Sequence, residues 1–448
     1  MLAGGRFEKG RFAGSRLTAR PANSQWIAYQ ANGYTPDLLG DFALNTFKGA
    51  GNAAVGFADL FAFERASEAT FTDATGVLRV AAAGVPRVDH VRDNGEWVAK
   101  GLLVESEART NLFSWSSAFD QAIWFKTRAG VAANEVLAPD GTVSGCRFTT
   151  TATNYDGSVR QNANYSAGDV LTFSVFAKAG DRGFVFLRER TTGVPKDSYF
   201  DLVNGVPGGV NSIHNASMED AGNGWYRCAI TVTATQNGDT AFEIYNSEED
   251  LNTSSTAAGY TYIWGAQLEL GTAPSSYIPT MGSAVTRAAE KLSVPSGGLP
   301  FSSMPSAVSL TIKGEVCHAE GNGDGAVSLL RWRADADNQL RQDILTLSPD
   351  TGRFEVTQTS GGEIVSVSSV AGIFGPGRPS FGVASRHGAQ LNGAHQGSVL
   401  IADGSAPPLA DLAGAPIELG TAFMGHISQF GLWAADIGDV GLIQASAI

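Results

Sequence analysis

Between Leu112 and Glu290 the chain is written in short runs where apolar and polar residues alternate. DVLTFSVFAKAG, GFVFLRER, GWYRCAITVTAT, TAFEIYN and YTYIWGAQLELG each carry apolar side chains at every second position, the repeat of an extended strand with one buried face. Polar turns separate them at a spacing that predicts a β-sandwich. In the last run Tyr260, Tyr262, Trp264, Ala266, Leu268 and Leu270 share one parity, and Thr261, Ile263, Gly265, Gln267 and Glu269 the other. The first set is therefore expected on the core face, with Trp264 buried. One of Trp225 and Tyr226 is expected inside, and so is Trp433.

Pro295, Pro300 and Pro305, set among Gly and Ser, oppose continuous strand pairing and predict a boundary near 290. Beyond it SAVSLTIKGEV, GAVSLLRWRA, RFEVTQ, EIVSVSSV, PSFGVAS and HISQFGLWAA resume the strand pattern, and GDVGLIQASAI reads as a short helix. Residues 41–111 hold short extended pieces separated by TDATG, AGVPR and RDNGE. The expected fold class is all-β, an N-terminal arm followed by two β-sandwich (jelly-roll) domains. Residues 1–40 are the extended arm, 41–111 a leader region of short strands, 112–290 the first sandwich and 291–448 the second.

Composition adds to this picture in two places. The 54 glycines among 448 residues suit a turn-rich β chain. The formal charge of −13 argues against nucleic acid as partner, but it is unevenly spread: residues 1–35 hold five basic residues and one acid, net +4, leaving −17 for the rest. GRFEKGRFAG repeats GRF within that basic segment, and its few apolar groups cannot offset the entropy of ordering alone. Arg6, Phe7, Lys9, Arg11, Phe12 and Arg16 are thus expected to become ordered on a partner. No continuous apolar stretch suits a signal peptide or a membrane span, so membrane insertion is not expected. Cys146, Cys228 and Cys317 read as buried free thiols.

FERASEATFTDATGVL followed by GLLVESEARTNL resembles a leader of bacteriophage and prophage virion proteins, carried by Phe63, Arg65, Ala66, Ser67, Ala69, Thr70, Asp73, Gly76, Glu105, Arg109, Thr110 and Asn111. FSVFAKAGDR, DAGNGWYRC and the segment from Tyr262 to Glu290 are similar to the carbohydrate-binding-type jelly roll of phage head-spike and tail-fibre proteins. GHISQFGLWAADIGDVGLIQ is more loosely similar to concanavalin-like or laminin-G-like jelly rolls. The resemblance implies a structural virion protein, without enzyme activity, assembled in the host cytoplasm. Its implied partners are other virion proteins through the arm, host-surface polysaccharide, and further copies of itself, a trimer being favoured. A virion-associated polysaccharide depolymerase and a ligand-free decoration protein are the alternatives.

Catalytic signatures such as HExxH, GxSxG and CxxC are missing, and no catalytic residue is assigned. Sugar binding calls for an exposed aromatic ring beside groups that read hydroxyls. NYDGSVRQNANY offers both, with Tyr155 and Tyr165 as rings and Asp156, Arg160, Gln161 and Asn162 as polar company. A turn leading into an edge strand explains the same letters. No cofactor is expected. EGNGDG at 320–325 and NSEEDLN at 246–252 place oxygens as calcium loops do, yet polar turns account for both, and no metal ligand is assigned.

Overall fold

The computed structural model describes residues 24–151, 157–254, 257–318, 325–375, 379–400 and 405–448. The alternating runs of the middle segment form the strands Val170–Ala179, Phe184–Glu189, Trp225–Thr233, Gly238–Ser247 and Gly259–Leu270. Among the described residues they belong to two six-stranded antiparallel sheets. These close face to face over a core that includes Phe148, Phe173, Val185, Leu187, Ile230, Phe242 and Ile244.

The strand Gly259–Leu270 departs from simple alternation at one residue. Gly265 has φ +59°, and pairing with the neighbouring strand slips between Ser174 and Phe176. This is a β-bulge, which adds a residue and reverses the parity beyond it. Ile263 before the bulge and Ala266 and Leu268 after it face the main core. Tyr260, Tyr262 and Trp264 are turned outward, so the expected single apolar face is split. Trp264 is still buried, as expected, but in a separate cluster with Phe176, Trp225 and Tyr277. Trp225 and Trp433 are also buried, and Cys146 and Cys228 are buried free thiols.

The second sandwich is built from both ends of the chain. Among the described residues its larger sheet has ten strands, with Met424–Trp433 between Leu38–Asp41 and Val308–His318. Leu38 opposes Leu432, and Glu105 at the end of Glu96–Glu105 opposes Met424. The facing seven-stranded sheet places Lys291–Val294 between Ile417–Thr421 and Ala62–Glu64. The stretch 41–111 is therefore not a region of its own. Its strands are mostly too short to hold a sheet unaided, and Phe42, Phe47, Leu60, Phe61, Leu102 and Val104 fill the second sandwich's core.

Residues 24–40 likewise are not extended arm. Trp26 is 1% exposed and donates its indole N–H to the Asn52 carbonyl at 3.2 Å, and Leu38 and Leu39 are buried. The docking candidates Arg6, Phe7, Lys9, Arg11, Phe12 and Arg16 lie outside the described residues. The short helix reads correctly as Gly438–Ser446. Among the described residues no helix is long and apolar enough to cross a membrane.

The chain enters the middle sandwich through Arg109–Asn111 and leaves it through Val285–Arg287, and these two short strands pair with each other. The middle sandwich is thus an insertion in the second one. A buried ionic knot closes the crossing. Glu290 accepts from Arg65 Nη1 at 2.8 Å and from Arg87 Nη2 at 2.7 Å, and Glu105 accepts from Arg87 at 2.7 Å and lies 3.0 Å from Arg287. Ser276, on the loop from the middle sandwich, gives Glu105 both its N–H and its hydroxyl. Burial alone would raise the Glu105 carboxyl, but Arg287 and Arg87 together hold it well below the usual carboxylate range. The leader residue Glu105 therefore ties the two sandwiches together through Ser276, while Arg65 fastens the leader to Glu290.

Candidate glycan-binding face

The strand Ser158–Tyr165 sorts the sequence-predicted sugar residues by parity. Val159, Ala163 and Tyr165 belong to the main core, so Gln161 points inward with them and Ser158, Arg160, Asn162 and Asn164 point outward. Tyr165 is 7% exposed and packs edge-on to Phe242 with ring centroids 6.4 Å apart. It is a core ring rather than a platform. Gln161 is also buried, its amide spent on the Ser114 backbone, accepting from N–H and donating to C=O at 3.0 Å each. Tyr155 and Asp156 lie outside the described residues. Of the three candidates among the described residues, Arg160 is the one on an open face.

Strand register sets Arg160 in a row. Phe125 opposes Arg160, which opposes Glu243, which opposes Arg188, which opposes Asp197. The Asp197 end of this row is locked. Arg188 grips Asp197 through two parallel bonds of 2.6 and 2.7 Å, which is why its guanidinium pKa is raised. Glu243 accepts from the Tyr245 hydroxyl at 2.7 Å and from Arg190 at 3.2 Å. Beneath them Tyr199, Phe186 and Tyr245 stand as a ladder of rings, Phe186 and Tyr245 being stacked 4.5 Å apart at 7°. Arg188 lies 4.7 Å over the Tyr245 ring, adding a cation–π contact to the clamp.

The Phe125 end is open. Phe125, on the edge strand Phe125–Thr127, is 56% exposed, and Asn162 is exposed beside it. Arg160 is half-buried, and its Nε, shut off from solvent, has no hydrogen-bond partner among the described residues. An exposed ring, a guanidinium and an amide are the groups that pack on a pyranose and read its hydroxyls. Phe125 escapes sequence reading because AIWFKT shows no extended alternation, and because its partner strand lies some thirty residues further on.

Two other constellations resolve differently. Ser198, His214 and Glu189 form a hydrogen-bonded chain of 2.7 and 3.1 Å in the order of a nucleophilic triad. Ser198 and Glu189 are both fully enclosed, so the trio fastens the 211–214 turn to the sheet rather than offering a nucleophile to a substrate. In the acidic stretch 246–252, Asn246 is buried and donates to the Phe148 carbonyl, Glu248 pairs with Arg182 at 2.6 Å, and Asp250 accepts from the Gly209 N–H. Residues 320–324 of the other acidic stretch lie outside the described residues. Among the described residues no group of three or more His, Cys, Asp or Glu side chains is placed to hold a metal ion.

No protein-family model and no curated protein matches the chain. Among solved structures it is similar to the carbohydrate-binding module CBM40 of the Ruminococcus gnavus IT-sialidase bound to alpha2,3 sialyllactose, with 17% identity over 32% of this chain and 84% of that one and a TM-score of 0.27. A leech intramolecular trans-sialidase complexed with 2,7-anhydro-Neu5Ac matches at 16% identity, 32% and 24% coverage and a TM-score of 0.27. Domains LG4-5 of the mouse laminin alpha1 chain match at 10% identity, 63% and 86% coverage and a TM-score of 0.22. Likenesses this remote carry no argument about chemistry. The sandwich architecture rests on the sheets themselves.

Proposed function

We propose that this chain is a non-enzymatic structural protein of a phage or phage-like particle, a head spike or fibre or a tail fibre, that adheres to host-surface polysaccharide through the outward face of its middle sandwich. The observation that carries the adhesive reading is the open end of the Phe125–Arg160–Glu243–Arg188–Asp197 row. A face held rigid by ion pairs at one end leaves an exposed aromatic ring beside a guanidinium and an amide at the other, so little ordering entropy opposes binding. The virion reading rests on the leader resemblance. Residues 1–23 dock the chain on other virion proteins, and copies associate through β surfaces or this arm, as a trimer.

The test is binding of the full chain to an array of bacterial surface polysaccharides, followed by calorimetry on the tightest hit. Phe125→Ala and Arg160→Ala are each expected to weaken binding by about 1 kcal/mol or more, roughly fivefold, without changing the melting temperature. Equal affinity in wild type and both variants overturns the assignment of this face.

A further inference from the structure

A cleft of about 320 Å³ opens where the two sandwiches meet. One wall is the edge strand Asn215–Gly222 of the middle sandwich; the other comes from Val88–Asp93, Glu96–Glu105 and Met424–Trp433 of the second. The joint beside it is tight. A Cβ at Gly76 would sit 2.1 Å from the Trp97 indole and one at Gly222 2.8 Å from it, so the half-buried ring fills the space between leader and edge strand. Trp97, Met218 and Met424 give the cleft apolar surface, and Asp89, His90 and Glu219 give it polar surface.

Most of these polar groups are already engaged. Asp89 accepts from the Thr72 N–H at 2.6 Å and from His426 Nε2 at 3.0 Å. Asp220 lies 3.7 Å from Arg92 and accepts from the Gly222 N–H. Arg227 donates to the Ser275 carbonyl and the Ser174 hydroxyl. His90 Nδ1 sits 3.1 Å from the Thr72 carbonyl, so it carries the proton there and leaves Nε2 as an acceptor. Glu219 is the exception. It makes no hydrogen bond or ion pair among the described residues and stands exposed on the edge strand at the cleft. Near it Asp89 is hydrogen-bonded to the His426 ring and Asp220 lies beside Arg92, while Arg227 stands across the strand pair from Glu219 itself.

We infer that this cleft is a second binding site, taking one end of a neutral saccharide, with the Glu219 carboxyl, His90 Nε2 and the Ser217 hydroxyl reading its hydroxyls against the apolar wall. The volume falls at the small end of ligand pockets, about 300–1,000 Å³, which suits a terminal sugar rather than a chain. The acids lining the cleft, Asp89, Glu105, Glu219 and Asp220, outnumber Arg227, which disfavours an acidic ligand. None of these side chains lies on the Phe125–Arg160 face, so the two sites fail separately.

The experiment uses the full chain carrying Phe125→Ala and Arg160→Ala, which silences the outer face. Cellobiose, maltose and N,N′-diacetylchitobiose serve as neutral probes and galacturonate as the charged control, titrated by calorimetry and by NMR of histidine side chains. At least one neutral disaccharide is expected to bind one to one at millimolar strength, shifting the His90 resonance, with galacturonate weaker. Ser217→Trp, which fills the mouth, and Glu219→Ala are each expected to weaken it about tenfold, ~1.4 kcal/mol, while Glu219→Gln keeps most of the affinity. Binding of no neutral probe overturns the inference. So does binding that Glu219→Ala leaves intact, or a preference for galacturonate. Loss of binding in the outer-face variant that the wild type shows would assign the saccharide to the outer face alone.

Discussion

Replacing Glu290 by glutamine tests whether the ionic knot holds the two sandwiches together. The change keeps shape and removes one charge. In the native knot three buried arginines, Arg65, Arg87 and Arg287, face two carboxylates, Glu105 and Glu290. Glu290 bonds two of those arginines through one oxygen, and its other oxygen accepts from the Glu105 N–H at 2.8 Å. The Arg65 and Arg87 side chains have no solvent exposure, so neither can turn to water when the carboxylate goes. Leaving buried charge unmatched costs about 3–5 kcal/mol. That is a large part of the roughly 5–15 kcal/mol that holds a typical domain folded. Guanidinium unfolding followed by tryptophan fluorescence should show the second sandwich melting at lower denaturant, with the middle sandwich less affected because its core lies elsewhere. A loss below about 1 kcal/mol, the range of exposed pairs, would refute the claim that the knot bears on stability.

Residues 112–284 produced alone should melt cooperatively, whereas 291–448 should not, because Leu38, Phe42, Phe47, Leu60, Phe61, Leu102 and Val104 are missing from its core; at about 1.5–3 kcal/mol each, that is roughly 10–20 kcal/mol of burial. A cooperative near-ultraviolet transition from 291–448 alone would contradict the shared-sheet topology. Gly265→Ala should destabilise the middle sandwich by about 1–2 kcal/mol, since φ +59° suits glycine and the new Cβ would lie 3.0 Å from Phe176; thermal melts check this. Burial pushes His387 down to about 3. The unfolded chain, with an ordinary histidine near 6.5, therefore binds the extra proton first, and stability falls as pH drops from about 6.5 towards 3, by up to ~1.4 kcal/mol per pH unit. His387→Gln should flatten that part of the stability profile, and an unchanged slope would show that the ring does not titrate as placed.

The strands of the middle sandwich were legible because their partners impose one buried face, and period two survives in Val170–Ala179 and Trp225–Thr233 almost letter for letter. Tyr165 was misread as a platform although its own strand held the clue: Val159 and Ala163 share its parity and mark the inward side. Trp264 was placed inside for a reason that one glycine overturns, since a bulge is invisible to a pattern that assumes regular alternation. The leader shows the deeper limit. Pairing of Leu38 with Leu432 leaves no local trace, because hydrogen-bond register between distant strands is written in backbone rather than in side-chain pattern. Arg65 and Glu105 stood out in the leader motif, yet their meeting with Glu290 exists only in three dimensions.

The interleaving of the second sandwich sets an order of events at the ribosome. Leu38–Asp41 emerges early but meets its neighbour Met424–Trp433 only after nearly the whole chain has been made, a wait of roughly 20–80 s at bacterial and eukaryotic elongation rates. The inserted middle sandwich has all its strands in hand well before then and can close first. While it does so, the early strands and Phe42, Phe47 and Phe61 remain without their sheet, a sticky intermediate whose lifetime is fixed by translation speed. High contact order of this kind slows folding. Codon usage or chaperone supply across residues 291–433 should therefore govern yield more strongly than any surface substitution.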